Sequence, residues 1–305
     1  MSKYDTELDP ANANTSHAQI LELVGGNKRV LDIGCATGYL ARALVAQGCT
    51  VSGVEYEADA AEQARPTLDR LLVGDLEELD LVEFFGRDQF DALVFGDVLE
   101  HLRDPLAVLR RARPLLARGG CVVISVPNIA HGAARLALLK GRWEYRQLGL
   151  LDTTHLRFFT LASLREMLRE AGLAAVEVRR TIADIFETEL AIKPEDYDPE
   201  LIEEVRADPE STTYQFVVRG VADDADQAVH ELQGREEEQR LTIREREATI
   251  RELEATIADL KAEVERLTAE IAALRAVPPP PPPPPPKRRA LPIRMVAAAM
   301  RAALS

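Results

Sequence analysis

The chain has 305 residues, 46% of them hydrophobic, with 37 cationic and 51 anionic side chains for a net charge of −14. That length allows one or two domains with a full core. An acidic body argues against a nucleic-acid-binding face, which needs clustered cations opposite phosphates.

The charge is unevenly spread. Residues 1–222 carry 24 cationic against 36 anionic side chains, residues 223–277 carry 8 against 15, and residues 278–305 have a charge of +5. The N-terminal MSKYDTELDPANANTSH lacks the apolar core of a secretory signal, and no run reaches the length of a membrane span. The expected location is the cytoplasm. Cys35, Cys49 and Cys121 sit in or beside apolar runs without CxxC spacing. They are expected to be free buried thiols, with neither disulfide nor metal.

In chain order, Ser16 is placed to cap a helix from His17 to Val24, which Gly25-Gly26 ends. Val30, Leu31 and Ile33 make a first strand. Gly34 and Gly38 then break the pattern, and a helix starts at Tyr39. Thr50 to Glu55 is predicted as strand two, Ala58 to Ala64 as helix and Arg70 to Val73 as strand three. Phe90 to Phe95 is strand four. Asp104 and Pro105 start a helix through Leu116, and Cys121 to Val126 is strand five.

Residues 129–158 interrupt the alternation as a long insertion with Trp143, Tyr145 and His155. Thr160 caps a helix to Ala171, Leu173 to Val178 is strand six, residues 184–211 are partly helical, and Thr213 to Arg219 is the last strand. Such alternation predicts an α/β fold: a Rossmann-like, doubly wound, mainly parallel seven-stranded sheet in residues 1–222. Beyond it, Ile250, Ile257, Val264 and Ile271 share one heptad position, and Leu253, Leu260, Leu267 and Leu274 the other. This pattern over residues 223–277 favours a parallel two-stranded coiled coil, hence a homodimer; the alternative is one helix folded back on the body. Pro278–Pro286 are expected to form a stiff polyproline II spacer, the alternative being a ligand for a proline-recognition module. The basic tail 287–305 is either disordered or a weak contact to the inner face of an anionic membrane.

Ligands of such sheets sit beyond the carboxyl ends of the strands. Asp32, Glu55, Asp75 and Asp97 all fall at strand ends. Glu55, about 20 residues past the glycine turn, suits a ribose diol, with Tyr56 beside it; Asp75 suits an adenine edge, with Leu76 packing on the ring. Asp32 near a helix N-terminus would repel a pyrophosphate but accept an ammonium. That favours S-adenosylmethionine (SAM) over a dinucleotide.

VLDIGCATGYLA resembles the glycine-rich motif of the class I SAM-dependent methyltransferases, which Glu55, Gly74-Asp75-Leu76 and FDALVFGDVLEHLRDP extend. The resemblance spans roughly residues 16–220. It implies SAM contacts from Asp32, Gly34, Cys35, Ala36, Gly38, Glu55, Tyr56, Asp75, Leu76 and Asp97. Ala36 stands where the family has its second glycine, which narrows backbone freedom. Residues 124–160 resemble a subgroup linked with glycosyltransferases in surface polysaccharide pathways.

The implied chemistry is an SN2 methyl transfer to the hydroxyl of a small or lipid-linked sugar, with a general base taking the proton. His155 is the expected base and His101 the alternate. The structural alternatives are a contact from His101 to the helix or to the SAM backbone, and a hydrogen bond from His155 that fixes the insertion. Arg157 either binds an acidic substrate group or pairs with Asp152 or Glu144. Trp143 and Tyr145 either stack on a sugar or pack locally. N-methylation, and a coiled-coil scaffold that binds SAM without turnover, are the competing functions.

Overall fold

A computed structural model describes residues 12–87 and 89–223, together with helical residues 250, 256–258, 260, 261, 264 and 266–268. The chain divides into two compact units, Met1–Glu237 and Glu238–Ser305. The polyproline run and the basic tail lie outside the described residues, as does most of the expected coiled coil.

Seven strands form one sheet: β1 (Arg29–Ile33), β2 (Thr50–Glu55), β3 (Leu71–Val73), β4 (Phe90–Gly96), β5 (Leu116–Pro127), β6 (Leu173–Ile182) and β7 (Thr213–Ala222). Their order is β3-β2-β1-β4-β5-β7-β6. The first five are parallel, and β7 runs antiparallel between β5 and β6. Connections wind one way from β1 and the other way from β4, so the switch point falls between these strands. Ile33 pairs with Phe95, which brings the loops after β1 and β4 out side by side. This crevice is where a sheet of this winding holds its ligand.

The central strands read as continuous apolar runs because both faces are covered. On one face Leu31, Ile33, Leu93, Phe95, Ile124 and Phe216 pack beneath α4 (Leu81–Phe85), α5 (Pro105–Ala112) and α7 (Leu161–Glu170). On the other face Val30, Val51, Val94, Val123 and Val217 meet α1 (Ser16–Val24) and α2 (Tyr39–Ala46). α3 (Ala58–Ala64) follows β2 as expected.

Several local expectations need correction. The cap of α1 is Thr15, whose side chain accepts from the Ala18 N–H; Ser16 is already helical and buried. α4 was not foreseen: Asp80 caps it by accepting from Val82 and Glu83. The helix expected to reach Leu116 ends at Ala112, because Pro114 follows within a 3₁₀ turn, and Leu116 already opens β5.

The insertion at 129–158 contains α6 (Gly132–Leu139) and does not stand alone. Ala133, Leu136, Leu150 and Leu151 share an apolar cluster with Ile185, Leu190, Ile192 and Val205, so residues 129–158 and 184–211 form one lobe. The last of these comes from α8 (Pro199–Arg206). The lobe is tied to the sheet by Asn128, whose amide donates to the Thr213 and Glu210 carbonyls at 2.9 and 3.1 Å. Among the described residues, no helix is long and apolar enough to cross a membrane.

Candidate functional site

The turn after β1 is shaped by backbone geometry that most residues resist. Gly34 and Gly38 both have φ 76°, in the left-handed region that glycine enters without steric cost. A Cβ on Gly34 would stand 2.6 Å from Val98 Cγ2, in the loop after β4. The glycine therefore lets the two switch-point loops touch. Ala36 is left-handed too, at φ 45°, so the replacement noted in the sequence carries real backbone strain.

Glu55 offsets that strain. Its Oε2 accepts the Ala36 N–H at 2.8 Å, and its Oε1 accepts those of Tyr56 and Glu57 at 2.9 and 2.8 Å. The carboxylate expected to meet a ribose thus also binds the β1 turn to the end of β2. Asp75 accepts the Glu77 N–H at 2.8 Å, and Leu76 beside it is buried.

Asp97 at the end of β4 is left-handed as well, with φ 55°. Its Oδ1 accepts from Ser125 Oγ at 2.8 Å and from Gln215 Nε2 at 2.9 Å. Near it His17 Nε2 and Tyr39 Oη lie 3.1 Å apart. Burial pushes the His17 imidazole down, against the pull of Asp97, and pushes the Tyr39 phenol up.

These groups line a cavity of about 690 Å³ over the switch point. Gly34, Ala36, Glu55, Tyr56, Asp75 and Leu76 form one side. Asp32, Cys35 and Gly38 stand behind this wall, in and next to the turn that shapes it. Asp32 is 2% exposed, its Oδ2 lacks a hydrogen-bond partner, and burial with the nearby Glu55 charge raises its pKa to about 7. A cation arriving at the turn would draw that proton off. Cys35 is packed against Gly53, and burial raises its thiol. All three cysteines are free and buried.

The opposite side is made by the segment after β4 and by the lobe. Here Glu100, His101, Asp152, His155 and Leu156 meet. The Glu100 carbonyl accepts the N–H groups of Leu156 and Arg157 at 2.7 and 2.9 Å, and so fastens the lobe to the sheet. His101 and His155 stand edge to face, with ring centroids 4.9 Å apart. Their Nδ1 atoms lie 3.2 Å from the Thr154 carbonyl and 3.3 Å from the Leu150 carbonyl. A carbonyl only accepts, so each Nδ1 carries the proton and each Nε2 keeps a lone pair in the neutral ring. Burial, then the His101 charge, pushes the His155 imidazole down.

The His155 ring is thus hydrogen-bonded within the insertion, while the His101 ring meets the insertion at Thr154 and not the helix named as its alternative. The Arg157 guanidinium donates to the Arg103 carbonyl. Glu144 pairs with Arg146 at 2.8 Å. Trp143 packs edge-on against Phe158, and Tyr145 is exposed. Sequence reasoning passed over Glu100, His17, Tyr39 and Gln215. Glu100 lies beside His101 in the motif already singled out, and that was the one signal available.

A family model described as a methyltransferase domain matches residues 11–178. Among curated relatives, the ubiquinone biosynthesis O-methyltransferase of Thiobacillus denitrificans is 32% identical over 154 residues, covering 50% of this chain and 66% of that protein. The protein of the same name from Xanthomonas euvesicatoria pv. vesicatoria is 31% identical over 162 residues, covering 52% and 66%. The chain thus spans just under two thirds of the length of these relatives. A SAM-dependent methyltransferase from Archaeoglobus fulgidus has the same fold, with a TM-score of 0.52 at 16% identity, covering 70% of this chain and 94% of that one.

Proposed function

The chain belongs to the SAM-dependent methyltransferase family, and from that premise we propose that it methylates an oxygen, the hydroxyl of a small or lipid-linked sugar-type acceptor. Oxygen as the acceptor atom is supported by the O-methyltransferase names of the curated relatives. The sugar class rests on the likeness of residues 124–160 to the glycosyltransferase-linked subgroup.

The residues of the strand-end side fit the methyl donor. They offer a carboxylate on the ribose side, an Asp75-Leu76 pair on the adenine side and, behind the turn, a buried aspartate oxygen without a partner. When bound, SAM supplies a methyl carbon on a sulfonium, the C–S electron pair leaving with sulfur. Glu55 and Asp75 would hold the nucleoside, and the Gly34 turn with Asp97 would set its amino-acid end. The opposite side would hold the acceptor, whose oxygen forms the new C–O bond with a lone pair. Its proton passes to an imidazole Nε2, on His155 first and His101 as the alternate. Positioning and exclusion of water contribute most of the rate, and the base typically adds about 10²–10⁴-fold.

The carrying observation is the pair of imidazoles, oriented by backbone carbonyls, on the cavity wall across from Glu55. The test is incubation of the full chain with isotopically labelled SAM and a metabolite extract, followed by mass spectrometry. A labelled methyl on a hydroxyl supports the proposal. A methyl on nitrogen, or SAM binding without any product, overturns it.

We further propose that the heptad segment pairs two copies of the chain. Supporting this, Ile250, Ile257, Leu260, Val264 and Leu267 are helical and 43–61% exposed.

A further inference from the structure

We propose that Glu100, His101 and His155 form a binding site for one divalent transition-metal ion on the acceptor side of the cavity. The inference rests on the reading that this side takes the acceptor. One ligating atom from each of the three residues lies within 4.8 Å of the others, a spacing that one ion bridges with small side-chain adjustments.

The strongest sign is Glu100. Its side chain is 1% exposed, it borders the cavity, and neither carboxylate oxygen has a hydrogen-bond partner. A buried carboxyl with both oxygens unpartnered is costly in either protonation state, and native structures keep such groups for a reason. Desolvation and the charges of Asp97 and Asp152 favour its protonated form when no cation is near. A bound cation removes that penalty and draws negative potential from all three acids.

The histidines supply the second sign. Metal-binding imidazoles are normally oriented by a hydrogen bond from the other ring nitrogen to a carbonyl or carboxylate. Both rings here have that bond, to Thr154 and to Leu150. The two carbonyls belong to the lobe, and Glu100 fastens the lobe through Leu156 and Arg157. Ligands and supporting bonds therefore form one connected unit.

One carboxylate and two imidazoles suit zinc, manganese, iron(II) or cobalt. Magnesium and calcium prefer sites built wholly from oxygen. Three protein ligands leave coordination positions open toward the cavity, where an acceptor oxygen would bind. With the ion present, neither imidazole has a lone pair to spare. Metal occupancy would thus replace the base role given to His155 and His101 above, with the hydroxyl proton leaving to water, while the placing of the acceptor on this side is kept.

The test uses full-length protein stripped with a chelator, dialysed and titrated with Co²⁺ in the absence of SAM and acceptor. The visible absorbance reports nitrogen and carboxylate ligation. A saturable spectrum with single occupancy is expected. Glu100→Gln and His155→Ala should each weaken binding about 10–100-fold, while Glu144→Gln, on an exposed carboxylate, should not. Circular dichroism of each variant guards against misfolding, and the two variants are independent of one another.

Absence of a cobalt spectrum at millimolar ion, or equal binding by all four proteins, overturns the site. Titration of the stripped protein with SAM separates the two proposals. SAM binding without cobalt binding defeats the metal site and leaves the methyl-transfer reading standing. Cobalt binding without SAM binding does the reverse.

Discussion

Gln215, on the one strand that runs against both its neighbours, donates its amide to Asp97 Oδ1 at 2.9 Å across the end of β5. Asp97 is in the left-handed conformation, which an aspartate can enter when its side chain is hydrogen-bonded. The antiparallel strand therefore helps to fix the turn at the end of β4. Gln215→Ala removes a hydrogen bond to a carboxylate and should cost about 1.5–3 kcal/mol. Urea unfolding checks this, and an unchanged midpoint would show that Ser125 holds Asp97 alone.

Glu55 binds three backbone N–H groups and borders the donor side of the cavity. Glu55→Ala should weaken SAM about 10–100-fold, the loss of a charge-assisted hydrogen bond together with the loosening of the turn. Isothermal titration measures it. Ala36→Gly relieves the left-handed strain and should stabilise the protein by about 1 kcal/mol.

The buried Asp32 predicts a pH dependence. Its folded-state pKa, about 7, stands above the ordinary 3.8. The folded chain thus holds a proton that the unfolded chain has lost, and stability falls as pH rises from about 4 to about 7, then levels off. The expected loss is several kcal/mol, of the order of 4. Glu100 contributes in the same direction. Asp32→Asn should flatten part of this slope in denaturant melts taken across the pH range, and an unaltered slope would count against the assignment.

His155→Ala should lower turnover by about 100-fold or more with SAM affinity unchanged. The neutral imidazole is needed whether it takes a proton or binds an ion. Burial and His101 push its pKa below 6.5. The rate should therefore rise with pH along a limb lying below 6.5 and be flat through neutrality. A limb centred well above 6.5 would exclude His155 as the titrating group.

Chains ending at residue 223 should sediment as monomers if the heptad segment pairs two copies, whereas the full chain should sediment as a dimer. Equal association states would remove the dimer.

Much of the strand-end side of the cavity was legible because parallel central strands are apolar runs with glycine and aspartate at their carboxyl ends. β2 and α3 fall where their sequences place them, and Gly34, Glu55, Asp75 and Asp97 follow from that. The opposite wall was not legible in the same way. Glu100 is a charged residue between Leu99 and His101, and nothing in that local pattern announces that its carboxylate is buried. β7 reads as an ordinary strand, and its place between β5 and β6 depends on partners 30 to 100 residues away. Gln215 acquires its role only through that pairing. Asp32 reads as a ligand contact because it stands near a helix N-terminus, and its depth, 2% exposed behind the turn, was not legible from that place.

The lobe is assembled from two stretches of chain separated by α7 and β6, and its apolar seam closes only when both are present. Recombination that exchanged residues 129–158 alone would leave Ile185, Leu190 and Ile192 facing an unmatched surface. Changes to this lobe would therefore be inherited as a paired cassette, with the helix and strand between them carried along as passengers. The glycine turn and its carboxylates could meanwhile pass unchanged from one descendant to the next.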